Sequence, residues 1–166
     1  MPEKEKVYEE TLKQKGPFPY RDLYNFCYNM LREDGYDVYE EKYEEKVTPG
    51  GKDIVIKWTA KKKISDYFRN VIEAKWRILG MQDIEIQRNG KKEKTNTGEV
   101  KIAVKGILER DYEDRWATTP LYKWMRGIYD RYIIKTVMDQ YEEKLTGESD
   151  EFVEQTKSFL QLEGKK

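Results

Sequence analysis

Over Ile72-Glu73-Ala74-Lys75-Trp76-Arg77-Ile78, apolar and charged residues alternate without a miss. A helix would scatter these side chains around its axis. A strand puts Ile72, Ala74, Trp76 and Ile78 on one face and Glu73, Lys75 and Arg77 on the other. The same period of two recurs at Ile54, Ile56, Trp58 and Ala60, and again at Val100, Ile102 and Val104. Strands of this kind belong to an antiparallel sheet with one buried and one solvated face.

Composition bounds what surrounds that sheet. The 166 residues suit one domain spanning 1–166, with a core over about 6–145 and a helical extension over about 147–162. A charged fraction of 39% would allow disorder, but 13% aromatic residues and the clean alternation argue for a packed core. Basic and acidic residues balance at 32 each, so no global field draws in nucleic acid and any electrostatic partner must be read by a local patch. Cys27 is the sole cysteine and histidine is absent, which excludes an intrachain disulfide, a Cys/His zinc site and a histidine-based triad within one chain. The charged first fifteen residues do not read as a signal peptide, and no run reaches the ~20 apolar residues of a membrane span, so a cytoplasmic protein is expected. Lysine and glutamate richness points to a hot or archaeal source.

The coarse order follows from periodicity and turn chemistry. Lys6–Lys13 reads as a polar strand ended by Gly16, Pro17 and Pro19. A helix over Tyr20–Glu33 carries Leu23, Phe26, Cys27, Met30 and Leu31 on one stripe. Strands are expected at Tyr36–Val47, Lys52–Ile64, Phe68–Leu79, Asp83–Arg88, Lys91–Thr95 and Glu99–Leu108, with turns at Gly80 and at Asn96-Thr97-Gly98. Asn89-Gly90 is the strongest hairpin signal, since a type I′ turn needs positive φ at both positions. Thr119 and Pro120 open a helix running to about Leu145, Gly147 stops it, and a last helix covers about Asp150–Leu162. Within the long helix, Leu121, Met125, Ile128 and Tyr132 form one apolar stripe; Ile134, Val137, Tyr141 and Leu145 form another pointing the opposite way. The first half should therefore lie on the sheet, and the second half should pack against Phe152, Phe159 and Leu160 of the last helix or on another subunit.

Strand, helix, six-strand meander, long helix: this order resembles the helix-grip fold of the START and Bet v 1-like (SRPBCC) superfamily over roughly Lys6–Leu145. The resemblance implies an α+β fold in which a seven-stranded antiparallel sheet wraps a long C-terminal helix. It also implies a non-catalytic carrier or sensor of an apolar small molecule or lipid. One longer helix stands where members usually have a pair of short ones. In addition, Trp58–Tyr67 and the run Arg126–Tyr132 resemble archaeal proteins of no assigned activity.

Four candidate sites emerge. Trp58, Trp76, Ile102 and Val104 should face Trp124 or Met125, Ile128 and Tyr132, lining either an apolar cavity or a close-packed core. Lys61, Lys62 and Lys63 should meet Arg88, Lys91 and Lys92 at one end of the meander, with Arg69 and Lys94 beside them. That basic end would serve an adaptor or assembly subunit holding a phosphate-rich or protein partner, or would simply keep hairpin tips soluble. Asp111, Glu113 and Asp114 between Arg110 and Arg115 match no cation loop and read as a salt-bridged connector. Cys27, on an apolar stripe, reads as a buried inert thiol. No catalytic residue, metal or cofactor is expected, and the C-terminal helices leave self-association open.

Overall fold

The structure, a computed structural model, describes residues 3–110, 120–132 and 134–164. Its elements are β1 (Glu3–Phe18), α1 (Tyr20–Glu33), β2 (Asp37–Thr48), β3 (Gly51–Lys63), β4 (Phe68–Arg88), β5 (Lys91–Arg110), α2 (Pro120–Tyr132) and α3 (Ile134–Gly164). The strands form one antiparallel sheet in the order β1-β5-β4-β3-β2. The period of two is realised as expected. Ile54, Ile56, Trp58 and Ala60 are buried beside Ile72, Ala74, Trp76 and Ile78, and these beside Val100, Ile102 and Val104. Leu23, Cys27 and Leu31 of α1 and Leu145, Phe152, Val153 and Leu160 of α3 complete the same core.

The sheet has five strands, not seven. Gly80 does not turn the chain; it sits at φ +62° in a bulge between Leu79 and Gln82, and β4 runs on to Arg88. A glycine at positive φ can serve a reversal or a bulge equally well, and here distant neighbours decide. The Gly80 amide donates to Asp53 Oδ1 at 2.9 Å, and Gln82 Nε2 donates to the Gly50 carbonyl at 2.9 Å. A Cβ on Gly51 would lie 2.5 Å from the Met81 carbonyl oxygen, so the β2–β3 turn is seated against the bulge. Gly98 likewise stays within β5, opposite Gly16. Beyond Asn96, β4 and β5 have only each other among the described strands. They form a two-stranded ribbon from Ile84 opposite Thr95 to Arg88 opposite Lys91. Its tip is the expected turn, with Asn89 at φ 54° and Gly90 at φ 78°.

The helices depart from expectation in the same manner. Gly147 does not stop α3, which continues to Gly164. Mid-helix glycine costs about 1 kcal/mol against alanine, and the buried Leu145, Ser149 and Phe152 around it hold the helix on the sheet. The division of labour is reversed. Val137, Met138, Tyr141 and Leu145 pack on the core, whereas Leu121, Trp124, Met125 and Ile128 of α2 are exposed. Tyr141 meets Phe68 edge to face at 5.1 Å and Phe159 stacks on Phe26 at 5.0 Å. The expected packing of Val137 and Tyr141 against Phe152 and Phe159 does not occur, because all four lie along one continuous helix.

Candidate functional site

Of the residues expected to line a cavity, the fold brings Trp58, Trp76, Ile102 and Val104 together and leaves Trp124 and Ile128 apart on α2. The side chain of Tyr132 lies outside the described ones. The Trp58 and Trp76 rings lie 5.1 Å apart, and Tyr24 and Tyr28 of α1 close on Trp58 at 5.0 and 6.1 Å. These rings fill the space that they were expected to line. Trp58 Nε1 donates to Glu40 Oε2 at 3.0 Å, and the Tyr24 hydroxyl donates to the same oxygen. Alongside, the Tyr20 and Tyr43 hydroxyls share a hydrogen bond of 2.8 Å. Burial first, then the Glu40 carboxylate, pushes the Tyr24 phenol up to about 12. Burial and the partner phenol raise Tyr20 further. This tyrosine–carboxylate seam, which stitches α1 to the edge strand β2, had no sequence signal beyond an abundance of tyrosine.

The basic end is not assembled. Because β4 is one strand, the turn after Lys63 and the Asn89–Gly90 tip lie at opposite ends of it. Lys62 also turns to the covered face, where its ammonium sits 5.2 Å over the Tyr36 ring and 3.2 Å from Glu148. Lys61 lies over Tyr39, Lys63 pairs with Asp66 at 3.0 Å, and Arg88 pairs with Glu93 at 3.4 Å. Lys91 and Lys92 are exposed at the ribbon tip.

A different basic feature emerges on the open face of the sheet. Strand register sets Lys13, Lys101 and Arg77 directly opposite one another across β1, β5 and β4. The next row on the same face sets Lys75, Lys57 and Lys42 opposite one another across β4, β3 and β2. The two rows join at Arg77 and Lys75. The result is a cationic stripe crossing all five strands, about 19 Å long at ~4.8 Å per strand spacing. Like charges set directly opposite destabilise a sheet, and acids relieve only part of this stripe. Lys13 pairs with Glu99 at 2.9 Å, Lys57 with Glu41 at 3.2 Å and Lys42 with Glu44 at 3.6 Å. Hydrogen bonds from Thr59 and then Lys57 hold the Glu41 carboxyl below the usual range, and Lys13 does the same for Glu99. Lys75, Arg77 and Lys101 are exposed and have no ion pair among the described residues. Among the described residues no aromatic ring stands in these two rows, whose neutral neighbours are Thr11, Ala103 and Val55; Tyr39 lies one row beyond, opposite Thr59.

Other candidates resolve more simply. Cys27 is fully buried beside Thr156 Oγ1 at 3.5 Å, and burial pushes its thiol up to about 12, which leaves it protonated and unreactive. Residues 111–116 lie outside the described set, and Arg110 pairs with Glu3 at 2.6 Å. An open cleft of about 690 Å³ between the start of β1 and α3 is lined by Glu5, Tyr8, Asp139, Glu142 and Asp150. No group of three metal-ligating side chains is found among the described residues. No described helix is long and apolar enough to cross a membrane.

No family model matches the chain, and no curated protein matches it either.

Proposed function

We propose that this protein is a non-catalytic binder of the phosphate backbone of nucleic acid, which lies along the cationic stripe on the open face of the sheet. The carrying observation is that Lys75, Arg77 and Lys101 stand in cross-strand rows of like charge and form no ion pair among the described residues. Lysines kept only for solubility need not be stacked opposite one another, since that arrangement costs stability. A polyanion turns the cost into binding energy by releasing its condensed counterions.

The shape of the feature supports a linear partner over a planar one. The stripe is a continuous line of cations, whereas the rows beside it mix charge: Glu9 and Glu73 flank Lys105 on one side, and Glu99 faces Lys15 on the other. An anionic bilayer would meet those acids as well as the cations. Among the described residues the two rows hold no aromatic ring, and a single ring beside them, Tyr39, is no platform for stacking successive bases, the mode that single-strand binders use. Recognition would be of the backbone and independent of sequence. The sheet order, with the first strand beside the last and a long helix over one face, supports the helix-grip resemblance. The carrier role that the resemblance implied draws no support from Trp58 and Trp76, which pack on each other.

Fluorescence anisotropy with a labelled mixed-sequence nucleic acid at rising salt tests this. A log–log slope of about −2 to −4 is expected for a few neutralised phosphates. Lys75→Glu with Lys101→Glu should reduce affinity at least about tenfold and flatten the slope. Absence of binding at low salt would overturn the proposal.

A further inference from the structure

Resting on that reading, we infer that the partner is a duplex and that the β4–β5 ribbon enters one of its grooves. The ribbon from Ile84–Arg88 to Lys91–Thr95 reaches about 15 Å past its last neighbouring strand, at ~3.3 Å per residue. A free two-stranded ribbon is marginal in water. This one is nonetheless aimed. A bulge turns a strand and sharpens its twist, and the Gly80 bulge is locked from both sides. Gly51 backs onto the Met81 carbonyl, a Cβ on Gly98 would lie 3.1 Å from the Leu79 carbonyl oxygen, and Asp53 holds the Gly80 amide. Inside the sheet's other face, Asn96 Oδ1 accepts from the Tyr20 amide at 3.0 Å and fixes the root to the start of α1.

The ribbon's faces follow from β5, whose pairing with β1 is unbroken from Lys105 to Asn96. Lys91, Glu93 and Thr95 therefore share the face of Lys101, together with Ile84, Ile86 and Arg88 opposite them. Lys92 and Lys94 fall on the other face with Glu85 and Gln87. Cations on both faces suit a slot walled by phosphates on both sides, which is what a duplex groove offers. The major groove is wide enough for a two-stranded ribbon. A backbone lying across the Lys101–Arg77 row would bring the adjoining groove to the root of the ribbon, on the same side of the sheet.

The test compares two variants on two probes. Lys91→Glu with Lys92→Glu changes the ribbon tip, where both side chains are exposed. Lys75→Glu with Lys101→Glu changes the stripe. The probes are a short mixed-sequence DNA duplex and one of its single strands, each read by anisotropy at fixed salt. The tip variant should lose about tenfold on the duplex and little on the single strand; the stripe variant should lose on both. Wild-type duplex affinity in the tip variant would overturn the ribbon's role and leave the stripe standing. Tighter wild-type binding to the single strand than to the duplex would also overturn it. Failure of the wild-type protein to bind either probe would overturn both readings.

Discussion

A Cβ on Gly106 would lie 2.6 Å from the Ser149 Oγ, so α3 crosses β5 at a point where that strand presents no side chain. The same Cβ would stand 3.2 Å from the Tyr8 Cβ and 3.5 Å from the Leu145 Cγ. The long helix is thus seated on bare backbone, and its closeness to the sheet depends on one missing methyl group.

Gly106→Ala should therefore destabilise the protein by about 1–3 kcal/mol through overpacking. Ser149 Oγ is buried without a hydrogen-bond partner among the described residues, so Ser149→Ala should be close to neutral and should relieve part of the Gly106→Ala defect. Gly147→Ala, where the added methyl meets open space, should stabilise by about 0.5–1 kcal/mol from helix propensity alone. Urea melts of the single and double variants measure all of these. Equal effects at Gly106 and Gly147 would mean that the helix does not seat as described.

The two inward tryptophans should respond differently to loss of the indole N–H. Trp58 Nε1 donates to Glu40, whereas Trp76 Nε1 is buried with no acceptor among the described residues. Trp58→Phe should cost about 1 kcal/mol more than Trp76→Phe, the typical net worth of one hydrogen bond. Trp124→Ala, at a position 63% exposed, should move stability by no more than about 0.5 kcal/mol. Trp76→Ala should cost about 3–5 kcal/mol. A large effect at Trp124 would mean that α2 packs its stripe after all.

Alkaline pH should open the seam between α1 and β2. Tyr20, Tyr24, Tyr36 and Tyr43 all have phenols raised in the fold, burial being the first cause in each. A raised acid pKa means that the folded state holds the proton more tightly than the unfolded chain. The associated stability is complete below about pH 10, the unfolded tyrosine value, and drains away as pH climbs toward 12 and beyond. Circular dichroism and tyrosinate absorbance followed together should show ionisation and unfolding in one step. Free titration of Tyr20, Tyr24 and Tyr36 near pH 10 with the fold intact would contradict the burial assigned to them.

The buried face was readable because alternation is local: Ile72–Ile78 reports its own face without help from any partner strand. The Asn89–Gly90 tip was readable for the same reason. Gly80 and Gly98 were not, since a glycine permits both a reversal and a bulge, and the choice lies with Gly51, Asp53 and Met81. Gly147 misled in the same way, because tertiary contacts at Leu145 and Ser149 override the local signal. The stripe was invisible in the chain. Lys13, Lys42, Lys57, Lys75, Arg77 and Lys101 are scattered through it, and only register brings them into line. Lys61, Lys62 and Lys63, contiguous and conspicuous, are divided between the two faces.

If the stripe keeps unfavourable charge for the sake of a polyanionic partner, Lys101→Glu should separate the two quantities, stability and affinity. Lys101 stands between Lys13 and Arg77 with Glu99 beside it, so reversing its charge turns two like-charge contacts attractive and one attraction repulsive. Thermal stability and nucleic-acid affinity should be measured on the same preparation. Stability should be unchanged or raised by roughly 0.2–1 kcal/mol, with affinity reduced about tenfold. A variant that is less stable while binding nucleic acid like the wild-type protein would contradict that role of the stripe.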